Sequence, residues 1–263
     1  MSAHLRRPYL MTAALALLTA VMSACNLEIS NQAEAKDEWK RTYTLAPGGT
    51  LEIRNTNGLV DVQPSTGPAI EVVAERVVHA GTDQAAKDAL NAFEIKETVS
   101  PSMVTLDSTP TITGFMRGSQ EVRYHVKAPR TTNLRLSGTN GEITIADMAG
   151  SVDAKATNGD IKATGLTSAV VVETTNGDVN LAFTTLAEGG VSCDTTNGEL
   201  TITLPRDVHA RLTAHVGNGD IKTEGLTLVA TENSAHQLNA TLGGGGPLVT
   251  LGTTNGGIHV SSR

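Results

Sequence analysis

The stretch Ala156-Thr157-Asn158-Gly159-Asp160-Ile161-Lys162-Ala163 decides how the whole chain is read, because near copies of it recur along the 263 residues. The dipeptide at its centre is found at Asn57-Gly58, Asn140-Gly141, Asn158-Gly159, Asn176-Gly177, Asn197-Gly198, Asn218-Gly219 and Asn255-Gly256. From Asn140 onward the steps are 18, 18, 21 and 21 residues, then 37, about two further steps. A period of this length points to stacked supersecondary units. Six residues before each Asn stand Leu51, Leu134, Val152, Val170, Val191, Leu212 and Val249, and three after it Val60, Ile143, Ile161, Val179, Leu200, Ile221 and Ile258. The columns four before (Ile53, Leu136, Ala154, Val172, Cys193, Ala214, Leu251) and five after (Val62, Ile145, Ala163, Leu181, Ile202, Thr223, Val260) are apolar or small. A spacing of two within each arm is the signature of a strand with one buried face.

Each unit is therefore strand, Thr-Asn-Gly bend, strand, then a looser bend. Two architectures satisfy the pattern. Asn-Gly is a strong hairpin signal, and a two-residue turn keeps the apolar faces of a meander or barrel together. In a β-solenoid the same columns instead stack on themselves at about 4.8 Å per coil. Recurrence of one residue type per column favours the solenoid, since a meander has no need of such self-similarity. Glycine serves the bend in either case by reaching positive φ without a Cβ clash. Inward alanines such as Ala154, Ala156, Ala163 and Ala214 suit a narrow cross-section.

Residues 131–263 form the repeat region and 39–130 an N-terminal β-rich part continuous with it. There Ile70 to Val78 and Glu121 to Lys127 alternate as strands, and Asp83 to Phe93 carries Ala86, Ala89, Leu90 and Phe93 at helical spacing. A short amphipathic helix covering the open end of the sheets is expected. Residues 1–24 have the form of an export signal, with Arg6 and Arg7 ahead of an apolar run from Leu10 to Val21 that is too short for a membrane-spanning helix. Met22-Ser23-Ala24-Cys25 follows directly and is similar to a lipobox, which makes Cys25 the expected acylation site. The competing cut at Ala33-Glu34-Ala35 lies well beyond the apolar run. Residues 25–38, polar and without apolar periodicity, are expected to be the lipidated cysteine and a tether. The expected address is the outer membrane or cell surface.

The chain has 20 basic and 27 acidic residues, a net charge of −7; removing 1–24 takes two arginines and no acid, so 18 then face 27. Such a surface repels nucleic acid. With Cys25 acylated, Cys193 is the single thiol left, so no disulfide braces the fold. One Trp, three Tyr and three Phe leave little for stacking on sugars or bases.

Together these features resemble the bacterial "putative adhesin" family, whose β-rich repeat domain has no settled biochemical role. The matching residues are Leu51-Glu52-Ile53 before Asn57-Gly58, the helix at 83–93, Val126-Lys127-Ala128-Pro129, the string of Asn-Gly-Asp/Glu-Ile/Val copies, and Leu204-Pro205. The resemblance covers roughly residues 39–263. It implies a right-handed β-helix-like domain at the cell envelope and brings no catalytic residue with it.

One column invites a chemical role. Two residues after Asn stand Glu142, Asp160, Asp178, Glu199 and Asp220, an acidic ladder that stacking would bring to strand spacing, where a hard cation such as Ca²⁺ would relieve repulsion. The competing reading is a row of solvated acids. Cys193, by its column mates, is a small core residue. His209 and His215 are six apart and not expected to converge on a metal. A carbohydrate-active β-helix needs clustered acids with basic neighbours; Asp160 with Lys162, Asp220 with Lys222, and nearby Lys155 carry that pattern. No G-x-S-x-G, H-E-x-x-H or Walker loop is present. Gly243 to Gly246 does not sit between a strand and a helix and is expected to be a loop. The expectation is a non-enzymatic envelope scaffold or binding surface, needing no cofactor, held to a membrane by its lipid and contacting an envelope protein or polysaccharide.

Overall fold

The computed structural model describes residues 33–110 and 118–263, so the signal segment and Cys25 lie outside the described residues. The N-terminal part comprises β1 (Ala33–Tyr43), β2 (Thr50–Asn57), β3 (Val60–Ser65), β4 (Ile70–Ala80), α1 (Asp83–Ala92), β5 (Lys96–Val99), β6 (Met103–Asp107) and β7 (Gly118–Pro129). Three coils follow, each with one strand on either side of its Asn-Gly: β8 (Asn133–Asn140) and β9 (Ile143–Ala146), β10 (Val152–Asn158) and β11 (Ile161–Leu166), β12 (Val170–Asn176) and β13 (Val179–Phe183). The chain continues through β14 (Val191–Asn197), β15 (Leu200–Leu204), β16 (Ala210–Asn218), β17 (Ile221–Glu224), β18 (Leu228–Asn233), β19 (Gln237–Leu242), β20 (Leu248–Asn255) and β21 (Ile258–Ser262).

The two arms of a copy do not pair with each other. The Asn-Gly bend carries the chain from an eleven-stranded sheet, order β18-β19-β16-β20-β14-β12-β10-β8-β2-β6-β5, to a ten-stranded one, order β1-β4-β7-β3-β9-β11-β13-β15-β21-β17. Equivalent arms of neighbouring coils pair in parallel and in register: Val152 lies opposite Val170 and Leu134, and Asn158 opposite Asn176 and Asn140. This is the stacking of a β-solenoid-like fold, and the meander alternative is set aside by it. Backbone pairing continues around the bends, with Gly141 N–H donating to Asn158 O at 3.1 Å and Gly159 N–H to Asn176 O at 2.9 Å.

The core lies between the sheets and is made by the inward columns. Ile53, Leu136, Ala154, Val172, Cys193, Ala214 and Leu251 are all at most 1% exposed. Removing these residues from water supplies the main favourable free energy of the fold. Two members of the after-bend columns depart from expectation. Ile221 is half-buried and Thr223 exposed, because the ten-stranded sheet stops at β17 while its partner sheet runs on to β19 and β18.

Order in space is not order in the chain. β20 pairs with β14 on one side and β16 on the other, and β21 lies between β15 and β17. The coil at Asn255 is thus inserted between those at Asn197 and Asn218. The 37-residue step, expected to be two further steps along the stack, is instead an excursion through the β18-β19 hairpin and back by one place.

At the other end β1, β4 and β7 extend one sheet by antiparallel pairing, and β6 and β5 extend the other. Helix α1 packs against β1 and β4 through Ala86, Ala89 and Leu90, with Phe93 buried just after it. Thr82 caps its start, the side chain accepting from Ala85 N–H at 3.2 Å. Residues 33–38, expected to belong to a tether, are instead the first half of β1, paired with Arg76 to Ala80 and Glu75 of β4. An edge strand needs only one apolar face, and here Ala35 and Tyr43 are buried while charged residues alternate outward, which also discourages pairing with other chains.

Candidate functional site

The bends stack into a continuous polar ridge whose members satisfy one another. Each turn Asn donates its side-chain N–H to the side-chain oxygen of the one in the coil beside it: Asn140 to Asn57 at 2.7 Å, Asn158 to Asn140 at 3.0 Å, Asn176 to Asn158, Asn197 to Asn176, Asn255 to Asn197 and Asn218 to Asn255 at 2.8 Å each. Asn57 closes the series by donating to Gln120 O at 2.9 Å. Only a side chain that both donates and accepts can propagate such a ladder. The glycines are demanded by proximity. A Cβ at Gly159 would stand 2.1 Å from Gly141 O, at Gly177 2.2 Å from Gly159 O, and at Gly198 2.0 Å from Gly177 O. Behind the ridge, buried Thr174, Thr195 and Thr253 donate to Gly159 O, Gly177 O and Gly198 O at 3.2 to 3.3 Å.

The acidic column takes part in the same economy. Asp160 Oδ1 accepts from Asp178 N–H at 2.9 Å, and Asp178 Oδ1 accepts from Glu199 N–H at 2.8 Å. Glu142 Oε1 holds Lys162 Nζ at 2.8 Å, raising the pKa of that lysine through hydrogen bond and charge. The run of five is broken in space: the inserted coil puts Gly257 between Glu199 and Asp220. An oxygen bound to a backbone N–H has one lone pair fewer for a cation, so the ladder has an architectural use of its own. Among the described residues no three His, Cys, Asp or Glu side chains gather at a point.

Cys193 is fully buried, and burial, then the charge of Asp194, pushes its thiol pKa far up, which keeps it protonated and inert. His209 lies beside Gly243 and Gly246 at the turn into β20, whereas His215 is an exposed residue within β16, opposite Gly252. Lys155 belongs to β10 in the eleven-stranded sheet, whereas Lys162 belongs to β11 in the ten-stranded one. The acid and lysine pattern that looked continuous along the chain is therefore divided between opposite faces.

One concave feature had no forewarning in the sequence. On the outer face of the eleven-stranded sheet, a groove of about 320 Å³ is lined by Arg54, Asn55, Thr56, Thr109, Ser137, Gly138, Thr139, Lys155, Ala156 and Thr157. Arg54, Ser137 and Lys155 share one row across β2, β8 and β10. Arg54 is fixed from below: its Nε and Nη2 donate to Glu52 Oε1 at 3.2 and 3.0 Å, and Glu52 Oε2 accepts from Thr105 Oγ1 at 3.0 Å. Glu52 is 7% exposed, so a buried carboxylate sets the guanidinium in place. Lys155 Nζ meets Glu173 Oε2 at 2.8 Å, and that hydrogen bond and charge raise its pKa. The signal was present only in three dimensions, because 83 residues separate Asn57 from Asn140 although their coils are adjacent.

The family described as Toastrack DUF4097 matches the chain over residues 36–261. Among curated proteins none matches. Three solved structures are similar at 13% identity each. One, of a protein from Clostridium sporogenes described as a "putative cell adhesion protein", has a TM-score of 0.47 and covers 86% of this chain and 100% of its own. A "putative adhesin" from Bacteroides fragilis gives 0.43, with 87% and 98% covered. A "putative lipid binding protein" from Parabacteroides distasonis gives 0.29, with 88% and 98% covered.

Proposed function

The chain belongs to the Toastrack DUF4097 family, and from that premise we propose that it is a non-enzymatic scaffold of the cell envelope, anchored by acylated Cys25 and presenting its solenoid faces as binding surfaces. The observation that carries this reading is the closed polar ridge. The repeated Asn, Gly and Asp groups are engaged with one another, so the repeat builds a stiff support and leaves recognition to the outer faces of the two sheets. A right-handed course of the coils is the sense expected for parallel crossovers. The apolar run ending just before Cys25 supports export, and two or more acyl chains give stable attachment.

Fractionation of cells producing the full chain tests the anchor. Wild type is expected with outer-membrane material and Cys25→Ser in the soluble exported fraction; a Cys25→Ser protein that stays with membranes overturns it. A catalytic role is tested on polysaccharides with the same preparation. Release of reducing ends or unsaturated products, lost on Lys155→Gln or Asp160→Asn, would replace the scaffold reading with the carbohydrate-active one.

A further inference from the structure

We propose that the groove around Arg54 and Lys155 binds an extended saccharide bearing oxyanions, either carboxylates or phosphates. The proposal deepens the reading of this face as a binding surface, and it does not require the lipid anchor.

Its first support is the make-up of the lining. Two cations and five hydroxyl side chains (Thr56, Thr109, Ser137, Thr139, Thr157) surround the groove, and no carboxylate does, in a chain whose net charge is −7. The nearest acids pair with these same groups, Glu52 with Arg54 and Thr105, Glu173 with Lys155, and Asp107 with Thr109 N–H at 2.8 Å, and each cation keeps further N–H donors for an incoming oxygen. An anion entering here is held by the N–H donors that those pairs leave free, and it competes with Glu173 for the exposed Lys155.

The second support is preorganisation. A half-exposed arginine on a strand ordinarily samples many rotamers, and ordering it costs side-chain entropy on binding. Arg54 is already held by a buried carboxylate through two of its nitrogens, while Nη1 has no hydrogen bond among the described residues. Such a fixed guanidinium edge suits an oxygen pair of a carboxylate or phosphate.

The third support is spacing. Arg54, Ser137 and Lys155 occupy three successive parallel strands, so the row is cation, hydroxyl, cation, with the backbone positions of the two cations about 10 Å apart at the usual strand separation. Beside it runs a second row, Thr56, Thr139 and Thr157, on the same strands. Polar groups recurring about every 4.8 Å match a sugar chain, whose residues advance by a similar length, with anionic groups on alternate residues facing the two cations. A compact inorganic anion uses one cation and ignores the rows. The groove has no aromatic side chain, so binding rests on charge and hydrogen bonds and weakens as salt rises.

Titration calorimetry on the full-length protein in detergent tests the assignment with four probes: a trigalacturonate, a phosphorylated trisaccharide, neutral maltotriose and inorganic phosphate. One or both anionic saccharides are expected to bind, the difference between them identifying the oxyanion, and maltotriose and inorganic phosphate are expected to bind at least roughly 10-fold more weakly. Lys155→Gln and Arg54→Gln should each weaken binding roughly 10-fold, the loss of one charge-assisted hydrogen bond. Lys162→Gln, an exposed lysine on the opposite sheet, should leave it unchanged. Since Lys155 is exposed, its variant retains the fold and keeps the test decisive if Arg54→Gln does not. No binding by either anionic saccharide, equal binding of maltotriose or phosphate, or binding indifferent to Lys155→Gln overturns the proposal. Cys25→Ser should bind as wild type does, so failure of the anchor and failure of the groove are told apart.

Discussion

A single β-carbon is enough to test why the repeat keeps its glycine. At Gly159 it would be driven to 2.1 Å from the carbonyl oxygen of Gly141, a backbone atom fixed in the ladder, so neither side can yield cheaply. Gly159→Ala should lower stability by about 2–3 kcal/mol in chemical denaturation; a loss below experimental error would show that the bends are loose. The turn glycine was legible from sequence, and so was half of its reason. Gly58, Gly141, Gly177, Gly198, Gly219 and Gly256 have the expected positive φ, whereas the contact between coils that also excludes a side chain, and that acts alone at Gly159, is seen only in the structure. Asp160 is the converse case. Its repetition looked unconnected with the fold, and its hydrogen bond to the next coil is invisible until neighbours are known. Burial and then the charge of Glu173 raise the pKa of Asp194, the hydroxyl of Ser192 offsetting part of this. A carboxyl with a folded pKa above its unfolded one binds more protons when folded, so its favourable contribution is present below the unfolded pKa and is lost as pH rises through the folded value. Asp194→Asn should therefore stabilise the protein at neutral pH, with the gain shrinking as melts are repeated down into the carboxylate range. A gain that is the same at every pH would remove the electrostatic explanation.

Elements with strong periodicity were legible because periodicity reports a buried face directly. The helix expected at 83–93 is found at Asp83–Ala92, with the expected Ala86, Ala89, Leu90 and Phe93 turned to the core. Its Thr82 cap satisfies one of the free N–H groups of the first turn. Thr82→Ala should cost about 1 kcal/mol, and hydrogen exchange should quicken in α1 before it does in the central coils; uniform exchange would mean that the helix does not open separately. β1 was missed for a physical reason. Its sequence, Ala-Glu-Ala-Lys-Asp-Glu-Trp-Lys-Arg-Thr-Tyr, is polar on every exposed position and offers only small or widely spaced apolar residues to the core. An antiparallel partner, β4, holds it by backbone hydrogen bonds that composition does not reveal. The groove was missed similarly, since β2 and β8 are neighbours only once β3 to β7 have folded out between them.

For the molecule as a whole, the columns foretold stacking but not sequence order within the stack. All coils carry the same kind of inward residue, so nothing in Leu212, Ala214, Val249 or Leu251 says which coil lies next to Val191 and Cys193. A simple linear array would tolerate loss of its last repeat. Here deletion of residues 248–263 takes out an internal layer and strips both β14 and β16 of a partner. The truncated chain should lose its cooperative thermal transition or melt far lower, rather than show a proportionate decrease; a shortened but cooperative fold would refute the interior position. The inserted coil has a further bearing on how the chain reaches its native form. A ribosome delivers β16 before β20, and at that moment β14 offers an open edge with matching columns, so Asn218 can settle on Asn197 in a register that is locally sound and globally wrong. Native pairing then requires strand exchange, β16 giving up its place when β20 arrives. The self-similarity that makes the stack stable also creates its principal kinetic trap.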